Sequence, residues 1–164
     1  MQKYIFQTKR LGFRLLQETD LDYLVELNSD CDVRQFFPDG VQNREQTEAR
    51  MNDFFSYYEE KGLPCFVMFE LETNDFMGRC GFGPIETGEI EVGYLLRKKF
   101  WGNGYASEAL TLLLEWAKEN INTDYIIAFT PVDHIASERV MQKCGMEHYK
   151  NEKCQRCAML FLSN

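Results

Sequence analysis

The sequence is short of what several classes of protein require. No apolar run in its 164 residues approaches the roughly 20 residues that span a bilayer. Met1 to Arg10 carries charge, with no apolar stretch followed by a small-residue cleavage site. The chain is therefore expected in the cytosol, away from membranes. Lysine and arginine number 18 against 26 acidic residues, a net charge of −8, and no basic cluster offers the phosphate contacts that nonspecific nucleic-acid binding needs. The six cysteines fall at irregular spacing and read as free thiols in a cytosolic chain. Cys154 and Cys157 form a lone CxxC without the second ligand pair or strand-to-helix setting that a zinc or redox site demands, so no metal is expected. Nothing rich in Pro, Gly and Ser, and no run of like charge, marks a linker or a tail.

What remains is a chain built for one core. At 164 residues and 45% hydrophobic content, residues 1–164 fit a single compact domain that buries about two thirds of its unfolded surface. Leu11 to Gln17 reads as a strand, and Thr19 with Asp20 opens a short helix through Leu27. Met51, Phe54, Phe55 and Tyr58 share one face of a helix over Arg44 to Glu60, stopped by Gly62 and Pro64. Cys65 to Leu71, Phe76 to Gly83 and Glu89 to Leu96 make an antiparallel meander, turned at Asn74–Asp75 and at Thr87–Gly88. A helix with Ala106, Ala109, Leu110, Leu113 and Ala117 on one stripe then leads to a strand at Tyr125 to Thr130. That βαβ order makes the flanking strands parallel. Pro131 and Asp133 open a helix through Cys144, Gly145 caps it, and Met146 to Tyr149 and Arg156 to Leu162 are the last strands. The expected class is α/β (α+β), a mixed central sheet of about seven strands flanked by about four helices.

The glycine-rich segment Trp101-Gly102-Asn103-Gly104-Tyr105-Ala106 lies between a strand and the first turn of a helix. Glycine lets the backbone approach a ligand closely, and the free N–H groups and positive dipole end of a helix start suit a phosphate or diphosphate. The third glycine and distant acid of a dinucleotide fingerprint are missing, as is the Gly-Lys-Ser/Thr of a P-loop. On spacing alone, a turn that simply packs a helix on a sheet is an equal alternative.

The residues Glu91-Val92-Gly93-Tyr94-Leu95-Leu96, followed by Phe100 to Ala109, closely resemble the acetyl-CoA signature of the GNAT acetyltransferase superfamily, best in its Rim-type branch of ribosomal-protein N-terminal acetyltransferases. Thr8 to Leu16 with Asp20 resembles that branch's opening strand, and Ala136 to Met146 its penultimate helix, so the likeness covers nearly the whole chain. The resemblance implies a splayed parallel strand pair, Glu89 to Leu96 and Tyr125 to Thr130, with the pantetheine arm of acetyl-CoA in the gap. Leu95 and Leu96 would pair with that arm through their backbone, and the amides of Gly102, Asn103, Gly104, Tyr105 and Ala106 would hold the diphosphate. Two positions depart from the family. Lys99 stands where Arg or Gln is common. His134 replaces the usual Asn, either donating one hydrogen bond to the arm or turning its larger ring away.

An acceptor amine is protonated at neutral pH and needs a base before it can attack a thioester. Glu91 is the leading candidate, with a solvated strand carboxylate as the plainer reading and Glu70 or Glu89 as substitutes. The intermediate's oxyanion needs a fixed donor, which a backbone N–H near Leu95 at the splay can supply. For the acid that protonates the departing thiolate, the resemblance points to Ser137, where the Rim branch has a serine, or to Tyr149, near the tyrosine of other relatives. First-turn capping and core packing are their respective structural alternatives. Glu108 reads as a helix-start carboxylate, Trp101 as loop packing, and Phe36-Phe37-Pro38 as either an acceptor wall or core. The acceptor is a peptide N-terminus or a small amine such as a polyamine, amino acid or antibiotic. The chain would work as monomer or homodimer, without nucleic acid or membrane. A noncatalytic acyl-CoA-binding module and a nucleotide-binding protein are the competing readings.

Overall fold

A computed structural model describes residues 4–152 and 155–162. Strands β1 (Phe6–Gln7), β2 (Leu11–Leu15), β3 (Cys65–Glu70), β4 (Phe76–Pro84), β5 (Ile90–Leu96), β6 (Tyr125–Pro131), β7 (Glu147–Glu152) and β8 (Gln155–Phe161) form one mixed sheet in the order β1-β2-β3-β4-β5-β6-β8-β7. The helices are α1 (Leu21–Ser29), α2 (Arg44–Lys61), α3 (Tyr105–Asn120) and α4 (Ile135–Lys143). The eight strands are the expected seven plus the two-residue β1.

Local signals account for the element ends. In the capping box of α2, Asn43 Oδ1 accepts from the Gln46 amide at 2.8 Å while Gln46 Oε1 accepts from the Asn43 amide at 2.9 Å. Gly62 closes the same helix in the left-handed conformation (φ +69°). β2 stops at Leu15, two residues short of expectation. Beyond it, Asp20 accepts from the Gln17 amide and takes a two-bond ion pair with Arg14, both bonds 2.8 Å, which winds Glu18–Asp20 into a 3₁₀ turn. β6 runs on through Pro131, so α4 begins only at Ile135.

The sheet separates two cores. On one face α3 and α4 pack Leu110, Leu113, Leu114 and Met141 against Phe66, Met68, Met77, Val92, Ile126 and Ala128. On the other, α1 and α2 cover Cys65, Val67, Phe69 and Leu95 with Leu24, Leu27, Met51 and Phe54. Two-residue alternation along β5 therefore sends Val92, Tyr94 and Leu96 toward α3 and Leu95 toward α2. Cys31, Cys65, Cys80, Cys144 and Cys157 are free thiols, while Cys154, and with it the CxxC, lies outside the described residues. Among the described residues no helix is long and apolar enough to cross a membrane, and no group of His, Cys, Asp and Glu is placed to hold a metal.

Candidate active site

Among the described residues β5 and β6 make the one parallel pair of the sheet, and that pairing is minimal. β5 and β6 share a single register position, Glu91 opposite Ile127. β5 and β4 stay paired from Ile90 through Leu96, so the parting is on the β6 side. α3 and α4 both start just beyond the ends of these strands, which places two helix N-termini and the segment 97–104 at the open end of the pair. In open α/β sheets ligands bind in such crevices, outside the carboxyl ends of the strands.

The segment 101–106 is built around two left-handed glycines, Gly102 (φ +77°) and Gly104 (φ +79°), a conformation that costs any other L-residue. Among the described residues the amides of Gly102, Asn103, Gly104, Tyr105 and Ala106 donate to no other group. Five successive free N–H groups at a helix start are an anion cradle. Other contacts hold the cradle in place. The Trp101 indole donates to the Leu96 carbonyl at 3.0 Å, and Asn103 Nδ2 donates to the Trp101 carbonyl at 3.0 Å. Arg10 donates to the Asn103 carbonyl (3.0 Å) and to Glu108 (2.8 Å). Glu108 also accepts from the Thr8 hydroxyl and the Arg10 amide. Glu108 thus ties the start of α3 to the β1–β2 turn. Tyr105 spends its hydroxyl on Glu70 at 2.9 Å, under the Arg10 guanidinium, and Lys99 pairs with Asp75 at 3.1 Å.

The three carboxylates named from sequence now separate. Glu70 accepts from Tyr105 and Thr73, and Glu89 from Tyr125 and Thr87. Glu91 has no hydrogen-bond or ion-pair partner among the described residues. It lines a cavity of about 170 Å³ on the α2 face with Arg50, Phe54, Tyr57, Arg79, Gly81, Gly83 and Gly93. Burial pushes its carboxyl above the ordinary range, and the charges of Arg50 and Arg79 pull it partly back. Among the described residues the one β5–β6 register position is thus also where a carboxyl of raised pKa faces an open cavity.

On the opposite face, buried Ser137 in the first turn of α4 lies 3.0 Å from the hydroxyl of Tyr94 on β5. Burial drives the Tyr94 phenol up to about 12, partly offset by that hydrogen bond. Tyr94 was not picked out from sequence; its two-residue offset from Leu96 and Val92 is the signal that put it on the α4 side. Tyr149 is exposed on the edge strand β7. Its phenol is raised by burial and by the negative potential of Cys157 and Glu89. His134 stacks on Phe36 with centroids 4.0 Å apart and planes 9° from parallel. Burial lowers its pKa and keeps the ring neutral. Phe36 thus reaches across to the start of α4, while Phe37 lies exposed under the Arg34 guanidinium.

The sequence and fold agree with known proteins. Residues 10–147 match the model of the acetyltransferase (GNAT) domain, most of the chain's length. The chain belongs to the GNAT acetyltransferase family. A curated relative of this GNAT chain, "Uncharacterized N-acetyltransferase YnaD" of Bacillus subtilis (strain 168), is 32% identical over 141 residues, 85% of this chain and 80% of the relative. Two solved structures share the fold of the domain at lower identity. RimL, a ribosomal L7/L12 alpha-N-protein acetyltransferase in complex with coenzyme A, superposes with a TM-score of 0.81 at 19% identity, covering 97% of this chain and 98% of that one. Spermidine N-acetyltransferase from Vibrio cholerae, in complex with CoA and spermine, gives 0.77 at 15%, covering 94% and 97%.

Proposed function

We propose that residues 1–164 form a single acetyltransferase domain that moves an acetyl group from acetyl-CoA to the nitrogen of a primary amine. The observation that carries this reading is the parting of β5 from β6 at Glu91, beside five unpaired amides at the start of α3. Those amides donate to the diphosphate of the cosubstrate, and the unpaired edge of β5 near Leu96 lies where an extended pantetheine arm adds to a sheet.

Glu91 takes the proton from the acceptor ammonium. The freed lone pair forms the new C–N bond at the thioester carbonyl; as the oxyanion collapses and the C–S bond breaks, the nitrogen gives up its second proton to the Ser137 hydroxyl, replacing the one that hydroxyl passes to sulfur. Ser137 is assigned the proton that the departing thiolate needs, because it sits in the first turn of α4 with its hydroxyl fixed by Tyr94. Tyr94 stays protonated throughout neutral pH and so acts by orienting Ser137. Tyr149 is less suited, since its neighbours Glu89 and Tyr125 belong to the beginnings of β5 and β6 and not to their open ends. His134 is engaged with Phe36 and serves the cleft by packing.

The reading is tested by thiol release from acetyl-CoA across N-terminal peptides, amino acids, polyamines and aminoglycosides. Turnover with at least one amine is expected. Tight coenzyme A binding without turnover on the whole panel would leave an acyl-CoA-binding module in its place.

A further inference from the structure

The cavity in front of Glu91 carries more positive charge than its one carboxylate balances. Arg79 projects from β4 and Arg50 from α2, and both guanidinium carbons approach the same Phe54 ring, at 5.1 and 4.8 Å from its centroid. Among the described residues Arg79 has neither a hydrogen bond nor an ion pair. Arg50 has only a 3.5 Å approach to half-exposed Asp53 and a 3.3 Å bond to the Tyr57 hydroxyl. The chain carries a net charge of −8, yet among the described residues no carboxylate lies within ion-pairing distance of Arg79. A partly buried guanidinium without a partner is costly unless something brings an anion to it. Gly83 and Gly93 add no side chain to the lining, and a Cβ at either would meet Tyr57 at 3.5 Å or Glu91 Oε1 at 3.9 Å. The cavity, about 170 Å³ and open on one side, has room for the head group of an acceptor beside Glu91.

We infer that this cavity selects acceptors carrying a carboxylate a few bonds from the reacting amine, with the carboxylate on Arg79 and Arg50 and the nitrogen at Glu91. The inference rests on the acetyltransferase reading and names its substrate class. Two sources have this chemistry: free α-amino acids, and peptides whose first residue is Asp or Glu. A polyamine lacks the anion and places a second ammonium beside two guanidiniums, which the site disfavours by like-charge repulsion.

The test is calorimetric titration of the coenzyme A-saturated protein with the common L-amino acids, with the α-amide and decarboxylated amine of each that binds, with Asp- and Glu-initiated dipeptide amides, and with spermidine. Turnover is measured in parallel. Carboxylate-bearing amines are expected to bind about 10- to 100-fold more tightly than their uncharged counterparts, the span of one charge-assisted hydrogen-bonded pair. Arg79→Gln should collapse that ratio. Arg79→Lys should restore it only in part, because the planar fork is lost. Undiminished coenzyme A affinity shows that each variant has folded. Equal or tighter binding of amides, decarboxylated amines or spermidine overturns the inference, as does no detectable binding of any carboxylate-bearing amine at millimolar concentration. Binding with the stated preference but no turnover keeps the inference and overturns the acetyl-transfer reading, so the two fail separately.

Discussion

Replacing Glu91 with Gln separates the chemistry of the site from its stability. The side chain keeps its size, and it has no hydrogen-bond partner to lose among the described residues. A positioned general base contributes about 10²- to 10⁴-fold to a rate, or about 2.7 to 5.4 kcal/mol at 1.36 kcal/mol per decade; kcat should fall by that amount. Stability should move the other way. Burial holds the folded-state pKa of Glu91 above its ordinary 4.5, so the folded protein binds this proton more tightly than the unfolded chain. The stabilisation is fully present below the unfolded value and is lost as pH rises through the raised folded value. At neutral pH the bare carboxylate is therefore a net cost to the fold, and the amide relieves it. The variant should show a Tm equal to or above that of the parent at neutral pH, with the gap closing in acid. In the parent, kcat/KM should fall about tenfold per pH unit once Glu91 is protonated, and the variant should lose that acid limb. Thiol-release kinetics against pH, with thermal melts, read all three. An unchanged kcat, or an acid limb that survives in the variant, would refute the role given to Glu91.

Gly104→Ala forces a left-handed residue (φ +79°) to carry a side chain at a cost of about 1 kcal/mol, a Tm loss of about 2 to 4 °C; calorimetry should also show weaker coenzyme A binding as the neighbouring amides are re-aimed. Ser137→Ala leaves the partly buried Tyr94 hydroxyl without its 3.0 Å partner and should destabilise by about 1 kcal/mol while lowering kcat more than KM. Tyr94→Phe should lower kcat less than Ser137→Ala does, since it removes only the orienting bond, and steady-state kinetics on both variants decide the order. His134 has its pKa held below 6.5 by burial, so the folded protein binds that proton less tightly than the unfolded chain. Stability is full above pH 6.5 and declines as acid drives protonation through the lowered folded value. His134→Phe should keep the stack on Phe36 and flatten that part of the Tm–pH curve.

The order of elements was legible because it depends on local physics. The α3 stripe follows from 3.6-residue periodicity, the meander from Asn74 and Gly88 between β-formers, and the sharp turn before α3 from two glycines, whose reading as an anion loop came from the family resemblance and not from spacing. A pairing of two residues such as β1 leaves too little periodicity to read. The fate of each carboxylate was not legible, because hydrogen-bond partners are set by residues distant in sequence: Glu70 meets Tyr105 35 positions away and Glu89 meets Tyr125 36 positions away. Ser137 and Tyr94 lie 43 positions apart, so neither reveals the other in a linear reading.

The sequence by itself determined which segments become helices and strands, and that βαβ connectivity makes β5 and β6 parallel, since period and glycine geometry act over a few residues. Only the tertiary structure decided that the two strands share a register position at Glu91 alone, that of Glu70, Glu89 and Glu91 this carboxylate is the one left unpaired, and that Arg50 and Arg79 from separate elements converge on its cavity. Those are outcomes of packing in three dimensions, where desolvation and charge act through space and take no account of chain order.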